Sequence, residues 1–183
     1  RIPGLAGQLM AKLGAVPQQI AGGDLYPALE RGTIDAAEWV APYDDEKLGF
    51  YRVAPFYYYP GFWEGGPTIH FYINLQKWQE LPKQYQAALQ AAAAYANIDI
   101  QAKYDAVNPP ALRRLVANGA QLRPFSQDIM EAGYKAANEI YDELSANNAA
   151  FKKIFDSYRA FRNEEYLWFQ VAEYTFDNFM IRA

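Results

Sequence analysis

Residues 26–39 have the sequence YPALERGTIDAAEW, and this stretch decides the fold class that we predict. Asp24 is placed to cap a helix over residues 25–31, because its side chain can accept from the first free N–H groups. Gly32 suits the position just past the end of that helix. Residues 33–40 then have the pattern of a strand. A short helix that leads directly into a strand is typical of an α/β unit, so we predict the α/β class.

The flanking residues extend the same alternation in both directions. Apolar spacing predicts a helix over residues 4–13, and a short strand is expected over residues 16–20. The acidic residues 44–46 favour another helix, whose first turn they would occupy as solvated side chains. Residues 68–75 form a β-rich run, and within it Asn74 is expected to cap the helix that follows.

From about residue 75 onward the sequence is mostly helical. Helices are predicted over residues 83–104, from the Pro109-Pro110 pair to residue 118, and over residues 126–145, and a short strand is predicted over residues 121–125. The last helical stretch, residues 149–179, carries an aromatic stripe made of Phe151, Phe155, Tyr158, Phe161, Tyr166 and Phe169.

This change in composition predicts two parts. The first is an α/β lobe over residues 1–75, and the second is a helix-rich part with long helices over residues 76–183. The chain has 183 residues, of which 51% are hydrophobic. That is enough for one well-buried domain or two small lobes, but not for several independent units.

Composition excludes several classes of protein and site. The net charge of −4 comes without a basic stripe, which argues against nucleic-acid binding. No apolar run approaches the roughly 20 residues of a membrane helix. Cysteine is absent and His70 is the single histidine, which excludes disulfides, thiolate metal sites and multi-histidine zinc sites. His70 lies in an apolar run, and we interpret it as a core histidine.

Two acidic residues stand next to tryptophans. Glu38 precedes Trp39, and Glu64 follows Trp63, each at a strand end or in a turn. A carboxylate beside a large apolar ring is partly desolvated, or it meets a cation or a hydrogen-bond donor. The two carboxylates could converge on one metal ion or polar ligand. Alternatively, they are surface acids beside core tryptophans, and the spacing alone leaves both interpretations open.

Arg1 is the candidate for binding an acidic ligand. A guanidinium group binds a carboxylate through two parallel charge-assisted hydrogen bonds. Arg1 precedes Ile2-Pro3, which has the pattern of a short strand, so its side chain could project into a cleft. The alternative is that Arg1 is simply a frayed first residue.

Several of these segments together resemble a known family. Residues 26–39 resemble the signature stretch of the periplasmic solute-binding proteins of TRAP transporters, the DctP-like family. Residues 1–3 resemble the strand that carries the family's carboxylate-binding arginine, and residues 74–82 resemble its strand-to-helix passage after the hinge. Residues 38–40 and 59–66 are similar to the branch that binds 2-oxo acids and related monocarboxylates with a metal ion.

This resemblance implies a binding protein with a periplasmic-binding-protein-like (type II-like) lobe, and not an enzyme. The ligand's carboxylate would pair with Arg1, and Na⁺ or Ca²⁺ would bridge the ligand and the protein. The side chains of Glu38 and Glu64 and the backbone carbonyl of Trp39 would hold the cation, which agrees with the oxygen ligands that hard cations prefer. Trp39 and Trp63 would line the site, and no organic cofactor is implied.

The resemblance also implies a cellular setting. We expect a periplasmic protein that delivers a 2-oxo or hydroxy acid such as pyruvate to the membrane subunits of a TRAP transporter. A homodimer through the C-terminal helices is a further hypothesis. Family members carry another α/β lobe ahead of the arginine strand. We therefore expect this chain to correspond to the C-terminal half of such a receptor, without the N-terminal lobe.

Two other functions remain as alternatives. Two carboxylates flanked by tryptophans also describe a glycosidase or a sugar-binding protein, in which aromatic rings stack on sugars. A neutral sugar needs no arginine, so a role for Arg1 in binding would favour the acid receptor. The third hypothesis is an interaction module whose aromatic C-terminal helices mainly form a dimer.

Overall fold

The computed structural model describes all residues from 1 to 183, which form helices and one short sheet. The chain divides into two compact units, Arg1–Met130 and Glu131–Ala183. The helices and strands, in chain order, are α1 (Gly4–Lys12), α2 (Leu25–Glu30), α3 (Pro42–Leu48), β1 (Phe56–Tyr59), α4 (Leu75–Glu80), α5 (Lys83–Ala117), β2 (Gln121–Pro124), α6 (Gln127–Asn147), α7 (Ala149–Phe169) and α8 (Thr175–Arg182). Two 3-10 turns, Gly22–Asp24 and Phe50–Arg52, and a π-helical turn, Gln170–Tyr174, complete the structure.

The short helices of the first unit form close to where the sequence predicts them. α2 ends at Glu30, and Gly32 follows with a left-handed φ of 66°. The side chain of Asp24 makes no capping bond to α2, so this helix continues from the 3-10 turn instead. Asn74 does cap α4 as predicted, because its Oδ1 accepts from the N–H groups of Gln76 at 3.0 Å and Lys77 at 3.2 Å.

A small apolar cluster fixes the stretch of residues 26–39. Leu25 and Leu29 lie one helical turn apart on the same face of α2, and both are buried with Ile34. Ile20 and Trp39 pack against this cluster. The two ends of the stretch are therefore anchored in the same core, and Trp39 sits at its edge.

The sheet consists of β1 and β2, which run parallel in the register Phe56↔Gln121 to Tyr59↔Pro124. Hydrogen bonds from Gln121 N–H to the Pro55 carbonyl at 2.7 Å and from Phe125 N–H to the Tyr59 carbonyl at 2.8 Å extend the pairing at both ends. α4 and α5 make the long crossover that a parallel pair needs. The predicted strand over residues 121–125 is confirmed, and its end lies next to the end of β1.

Three other predicted strands do not form. Residues 16–20, 33–40 and 68–75 lie outside any strand of the structure. A strand needs a neighbour to pair its N–H and C=O groups, and these segments run beside no such partner along their length. His70 lies in the third segment and is exposed, so the prediction of a core histidine is wrong.

The predicted helix start at Pro109-Pro110 is wrong, because both prolines lie inside α5. An interior proline costs a helix roughly 3 kcal/mol, because a backbone N–H is lost and the ring clashes with the preceding turn. Side chains on both sides of the proline pair tie α5 to α3: Tyr104 donates to Asp44 at 2.6 Å, Asn108 accepts from the Tyr43 N–H at 3.0 Å, and Arg114 donates two bonds to Glu46, each at 2.7 Å. This packing holds the helix continuous.

The second unit contains most of α6 together with α7 and α8. Phe155 of α7 is buried, and its ring lies 4.7 Å from that of Tyr141 and 5.6 Å from that of Phe151. The later part of the predicted aromatic stripe is exposed, including Tyr166 at 68%. No helix of the chain combines the length and the apolar character needed to cross a membrane. The predicted boundary between residues 75 and 76 marks a change in composition and stays a prediction.

Candidate functional site

The backbone places Arg1 beside residues 36–38. The main-chain nitrogen of Arg1 donates to the Ala36 carbonyl at 2.6 Å, and the Glu38 N–H donates to the Arg1 carbonyl at 3.0 Å. Two bonds in this arrangement form a single parallel bridge. Of the strand predicted over residues 33–40, this bridge is the pairing that forms, and it places Arg1 next to Glu38.

The guanidinium group of Arg1 is held by three hydrogen bonds. Nη1 donates to Glu38 Oε1 at 2.6 Å and to the Glu38 carbonyl at 3.1 Å, and Nε donates to the Ile20 carbonyl at 3.3 Å. The guanidinium carbon also lies 5.4 Å from the centre of the Trp39 ring, within cation–π range. The Arg1 side chain is only 15% exposed, so it is a fixed part of the structure and not a frayed terminus.

The surroundings of Glu38 shift the pKa of its carboxyl group in opposite directions. Its side chain is 18% exposed, and burial raises its pKa, because desolvation disfavours the charged form. The Arg1 charge lowers the pKa, but burial outweighs it, and the negative charge of Glu64 raises it further. The two acids that sequence analysis singled out therefore lie close enough for one to act on the other. A cation placed near both would relieve this repulsion.

Trp39 takes its position from a close approach to a glycine. A Cβ built on Gly22 would lie 2.5 Å from the outermost carbon of the Trp39 ring, far inside van der Waals contact. The neighbouring Gly23 has open space at the same point. Gly22 therefore makes room for the ring, a role that could not be seen from the sequence, because it depends on a contact between distant residues.

Glu64 lies in the turn that follows β1. Its N–H donates to the Gly61 carbonyl at 3.4 Å, and the side chain is exposed. The turn is held by its neighbours, since the rings of Phe62 and Trp63 pack edge-on against Phe125 at 5.1 and 6.0 Å. Phe125 directly follows β2, so the pairing of the two strands positions Glu64. Sequence analysis did not identify Phe125 as part of the site, although an aromatic residue at the end of a predicted strand was a usable signal.

The donors available here suit a hard cation. Two carboxylates, Glu38 and Glu64, and the carbonyl of Trp39 are all oxygen ligands, which Na⁺ and Ca²⁺ prefer. No group of three or more His, Cys, Asp or Glu side chains converges anywhere in the structure. A cation at this place would therefore need backbone and ligand oxygens in addition to the two carboxylates.

A buried acid lies just beyond these residues. Asp45 of α3 is 7% exposed, and its Oδ1 accepts from the Val40 N–H at 3.4 Å, while its Oδ2 accepts from the Tyr57 hydroxyl. Burial raises the pKa of Asp45, and the two hydrogen bonds offset this only in part. The prediction of solvated side chains at residues 44–46 is wrong at this position.

A family comparison agrees with the predicted resemblance. The family model described as bacterial extracellular solute-binding protein, family 7 (DctP), matches residues 1–148. A curated relative from Nostoc sp., named a monocarboxylate 2-oxoacid-binding periplasmic protein, is 49% identical over 179 residues. The match covers 98% of this chain and 49% of the relative, so the chain spans about half the length of the curated protein that it matches.

Solved structures share the same fold. A TRAP transporter solute-binding protein from Bordetella bronchiseptica is 47% identical, with a TM-score of 0.92 over 99% of this chain and 54% of that one. It is described as a mixed occupancy dimer with copurified calcium and picolinate in one active site and an apo second site. A TRAP periplasmic solute-binding protein from Pseudoalteromonas atlantica, solved with sodium and pyruvate, is 34% identical, with a TM-score of 0.88 over 97% of this chain and 54% of that one.

These matches confirm the predicted fold at the level of the TRAP periplasmic solute-binding proteins, while the type II-like character of the lobe stays a prediction. The family is one of solute-binding proteins. The chain belongs to family 7 of the bacterial extracellular solute-binding proteins, the DctP family.

Proposed function

We propose that this chain supplies the cation-binding and acid-binding residues of a periplasmic receptor for a small 2-oxo or hydroxy monocarboxylate, which serves a TRAP-type transporter. The observation that carries the proposal is the arrangement around Glu38. The largely buried guanidinium of Arg1, which also faces the Trp39 ring, pairs with this side chain, and the negative charge of Glu64 acts on it as well. The names and bound ligands of the three relatives support the same function.

Arg1 would bind the ligand's carboxylate. Its bonds to the protein use Nη1 and Nε, and a guanidinium group has five N–H donors in all. The two N–H groups of Nη2 are the natural donors for an incoming carboxylate oxygen. The bonds to Glu38 and Ile20 hold the group in a fixed orientation, which reduces the entropy lost when the ligand binds.

Charge explains why a cation would be needed. Glu38 and Glu64 are two negative groups, and Arg1 alone does not balance them. A carboxylate ligand would add a third negative group, so its binding is unfavourable unless a cation enters as well. A 2-oxo or 2-hydroxy acid can place both a carboxylate oxygen and the adjacent oxygen on that cation, and this chemistry distinguishes it from a simple fatty acid.

Glu38, Glu64 and the carbonyl of Trp39 would hold the cation. Trp39 and Trp63 would line the site, exclude water and so strengthen the charge interactions inside it. None of these roles requires a covalent step, and we propose that the ligand is released unchanged. The glycosidase alternative would instead require turnover of a glycoside that Glu38→Gln abolishes.

All proposed site residues lie within residues 1–75, and we propose that this segment is the ligand-binding part of the chain. Residues 76–183 would pack across the lobes of a complete receptor, which would also contain the roughly half of the relatives' length that this chain does not match. We also propose a homodimer through the C-terminal helices, for which the dimer described for the Bordetella protein gives support.

Glu38→Gln and Glu64→Gln test the role of the carboxylates. The protein to use is the whole product of the gene that encodes this chain, titrated with pyruvate in the presence of Ca²⁺. We expect each variant to weaken pyruvate binding by more than about tenfold, or at least about 1.4 kcal/mol, because each removes one of the two carboxylates that would hold the cation.

Glu46→Gln is the matched control. Glu46 also pairs with an arginine, Arg114, through two bonds of 2.7 Å, but it lies on the face of α3 that contacts α5. This variant should bind pyruvate as the wild type does. Unchanged affinity in both Glu38→Gln and Glu64→Gln would contradict the proposed site.

A further inference from the structure

We propose that Asp45, held by Tyr57, is a positioning residue that orients the Trp39 carbonyl toward the cation. This inference rests on the proposed function, and it assigns a role to two residues outside the predicted site. It begins with one peptide group, the link between Trp39 and Val40.

The peptide between Trp39 and Val40 has its two polar groups on opposite sides. Its bond is trans, since the one cis peptide of the chain is Tyr59–Pro60. In a planar trans peptide the C=O and N–H groups point in opposite directions. Because the Val40 N–H points at Asp45 Oδ1, at 3.4 Å, the Trp39 carbonyl points away from Asp45. Fixing the N–H therefore fixes the direction of the carbonyl.

Asp45 is itself held firmly. It is 7% exposed and lies in α3, and its second oxygen, Oδ2, accepts from the Tyr57 hydroxyl on β1. One oxygen thus binds the helix to the strand that leads into the Glu64 turn, and the other binds the peptide next to Glu38. Asp45 and Tyr57 therefore connect the two segments that supply the proposed cation ligands.

A buried carboxylate is costly, and a simple helix start does not require one. α3 has Pro42 in its first turn, which needs no N–H partner there, and Asp44 already places an acid in that turn. The helix start therefore does not account for Asp45, and its bond to the Val40 N–H indicates a role in holding that peptide. Removing a group that orients the ligands of a metal commonly weakens the binding of that metal by roughly 10–100-fold.

The test compares variants by two readouts in the whole product of the gene that encodes this chain. The first is the affinity for Tb³⁺, which replaces Ca²⁺ and whose luminescence is excited by a nearby tryptophan. The second is the affinity for pyruvate at saturating Ca²⁺. We expect Asp45→Ala to weaken Tb³⁺ binding by at least about tenfold. Tyr57→Phe should weaken it by about threefold, because one of the two bonds to Asp45 is lost.

Asp45→Asn separates position from charge. It removes the negative charge but keeps an acceptor oxygen for the Val40 N–H, so Tb³⁺ affinity should stay within about threefold of the wild type. If Asp45→Asn binds Tb³⁺ as weakly as Asp45→Ala, the effect of Asp45 is electrostatic, and the positioning role is wrong.

A matched control exists one residue away. Asp44 accepts from the Tyr104 hydroxyl at 2.6 Å, so α3 carries a second aspartate–tyrosine pair that does not touch residues 38–40. Asp44→Ala and Tyr104→Phe should leave Tb³⁺ affinity within about twofold of the wild type. Equal weakening by Asp44→Ala would show that general loosening of α3 is the cause, and this result would overturn the inference.

The remaining outcomes are also decisive. If Asp45→Ala does not fold, as circular dichroism would show, the comparison of Tyr57→Phe with Tyr104→Phe decides the matter, because each removes a single hydroxyl. If the wild type binds Tb³⁺ and Asp45→Ala binds it with the same affinity, this inference is wrong and the proposed function stands. A wild type that binds neither Tb³⁺ nor Ca²⁺ overturns the proposed function and this inference with it.

Discussion

At the scale of single residues, the site depends on one carboxylate with competing neighbours. Glu38 pairs with Arg1 at 2.6 Å, yet burial still raises its pKa, and Glu64 adds to the effect. The Glu38 carboxylate should therefore bind a cation more readily than a well-solvated acid does. Folding has already removed part of its water, so less desolvation remains when the cation binds.

Asp45 should give protein stability a pH dependence of definite sign. Burial raises its pKa above the usual value of 3.8, so the folded chain holds a proton at pH values where the unfolded chain has released it. The stabilisation is complete below the unfolded pKa and is lost as pH rises through the folded pKa. Between about pH 7 and about pH 4, the free energy of unfolding of the wild type should therefore rise relative to that of Asp45→Asn.

Urea denaturation at a series of pH values measures this difference. Asp156 is a control of opposite sign, because its bond to Lys152 lowers its pKa. The wild type should lose stability relative to Asp156→Asn as pH falls below the pKa of a free aspartate and through the lower pKa of the folded chain. A difference between wild type and Asp45→Asn that does not change with pH would contradict the account of Asp45.

The sequence allowed Glu38, Glu64 and Arg1 to be chosen, but not their arrangement. Family resemblance and neighbouring tryptophans pointed to these residues. The pairing of Arg1 with Glu38 depends on a backbone bridge between residues far apart in the chain, which no local pattern reveals. The burial of Asp45 could not be predicted for the same reason. An acid in the first turns of a helix is usually solvated, and the contact with the Tyr57 hydroxyl forms only in the folded chain.

At the scale of secondary-structure elements, the 3-10 turn Gly22–Asp24 limits the position of Trp39. Gly22→Ala should force the Trp39 ring to move, because the new Cβ would lie 2.5 Å from it. We expect a loss of about 1–3 kcal/mol in the free energy of unfolding, typical of overpacking, together with weaker pyruvate binding. Urea denaturation and calorimetric titration measure the two effects.

Gly23→Ala is the control within the same turn. A Cβ at Gly23 meets nothing within 4 Å, and its φ is not left-handed, so this change should leave stability and binding nearly unaltered. Equal effects from the two substitutions would show that the turn itself, and not the contact with Trp39, sets the outcome.

Elements were predictable where local signals decide them, and not where distant partners do. The helix over residues 4–13 and the cap at Asn74 follow from local spacing and chemistry, and both are present. Residues 33–40 have strand composition but form only one bridge, because a strand also requires a paired neighbour. Pro109 suggested a helix start, but contacts between α5 and α3 override this local preference.

At the scale of the whole molecule, the second unit leaves large apolar side chains uncovered. Leu167 and Phe176 are 69% and 62% exposed, among many aromatics of α7 and α8. Exposed apolar groups gathered in one region commonly mark an interface. The proposed homodimer would cover these side chains.

Sedimentation equilibrium tests this interface directly. The wild type should be a dimer, and the double variant Leu167→Glu/Phe176→Glu should be a monomer, because a buried unpaired charge is costly at an interface. Tyr95→Glu/Ile98→Glu introduces the same two charges at side chains of α5 in the first unit, each 70% exposed, and it should leave the dimer intact. A wild type that stays monomeric at all concentrations would refute the proposed dimer.

The central claim is that this chain supplies a site in which a cation and a small 2-oxo acid bind together. The test is calorimetric titration of the whole gene product with pyruvate, first in Ca²⁺ and then in a chelator. We expect binding in Ca²⁺ and at least about tenfold weaker binding in the chelator, a difference of about 1.4 kcal/mol or more. Equal affinity under the two conditions would contradict it.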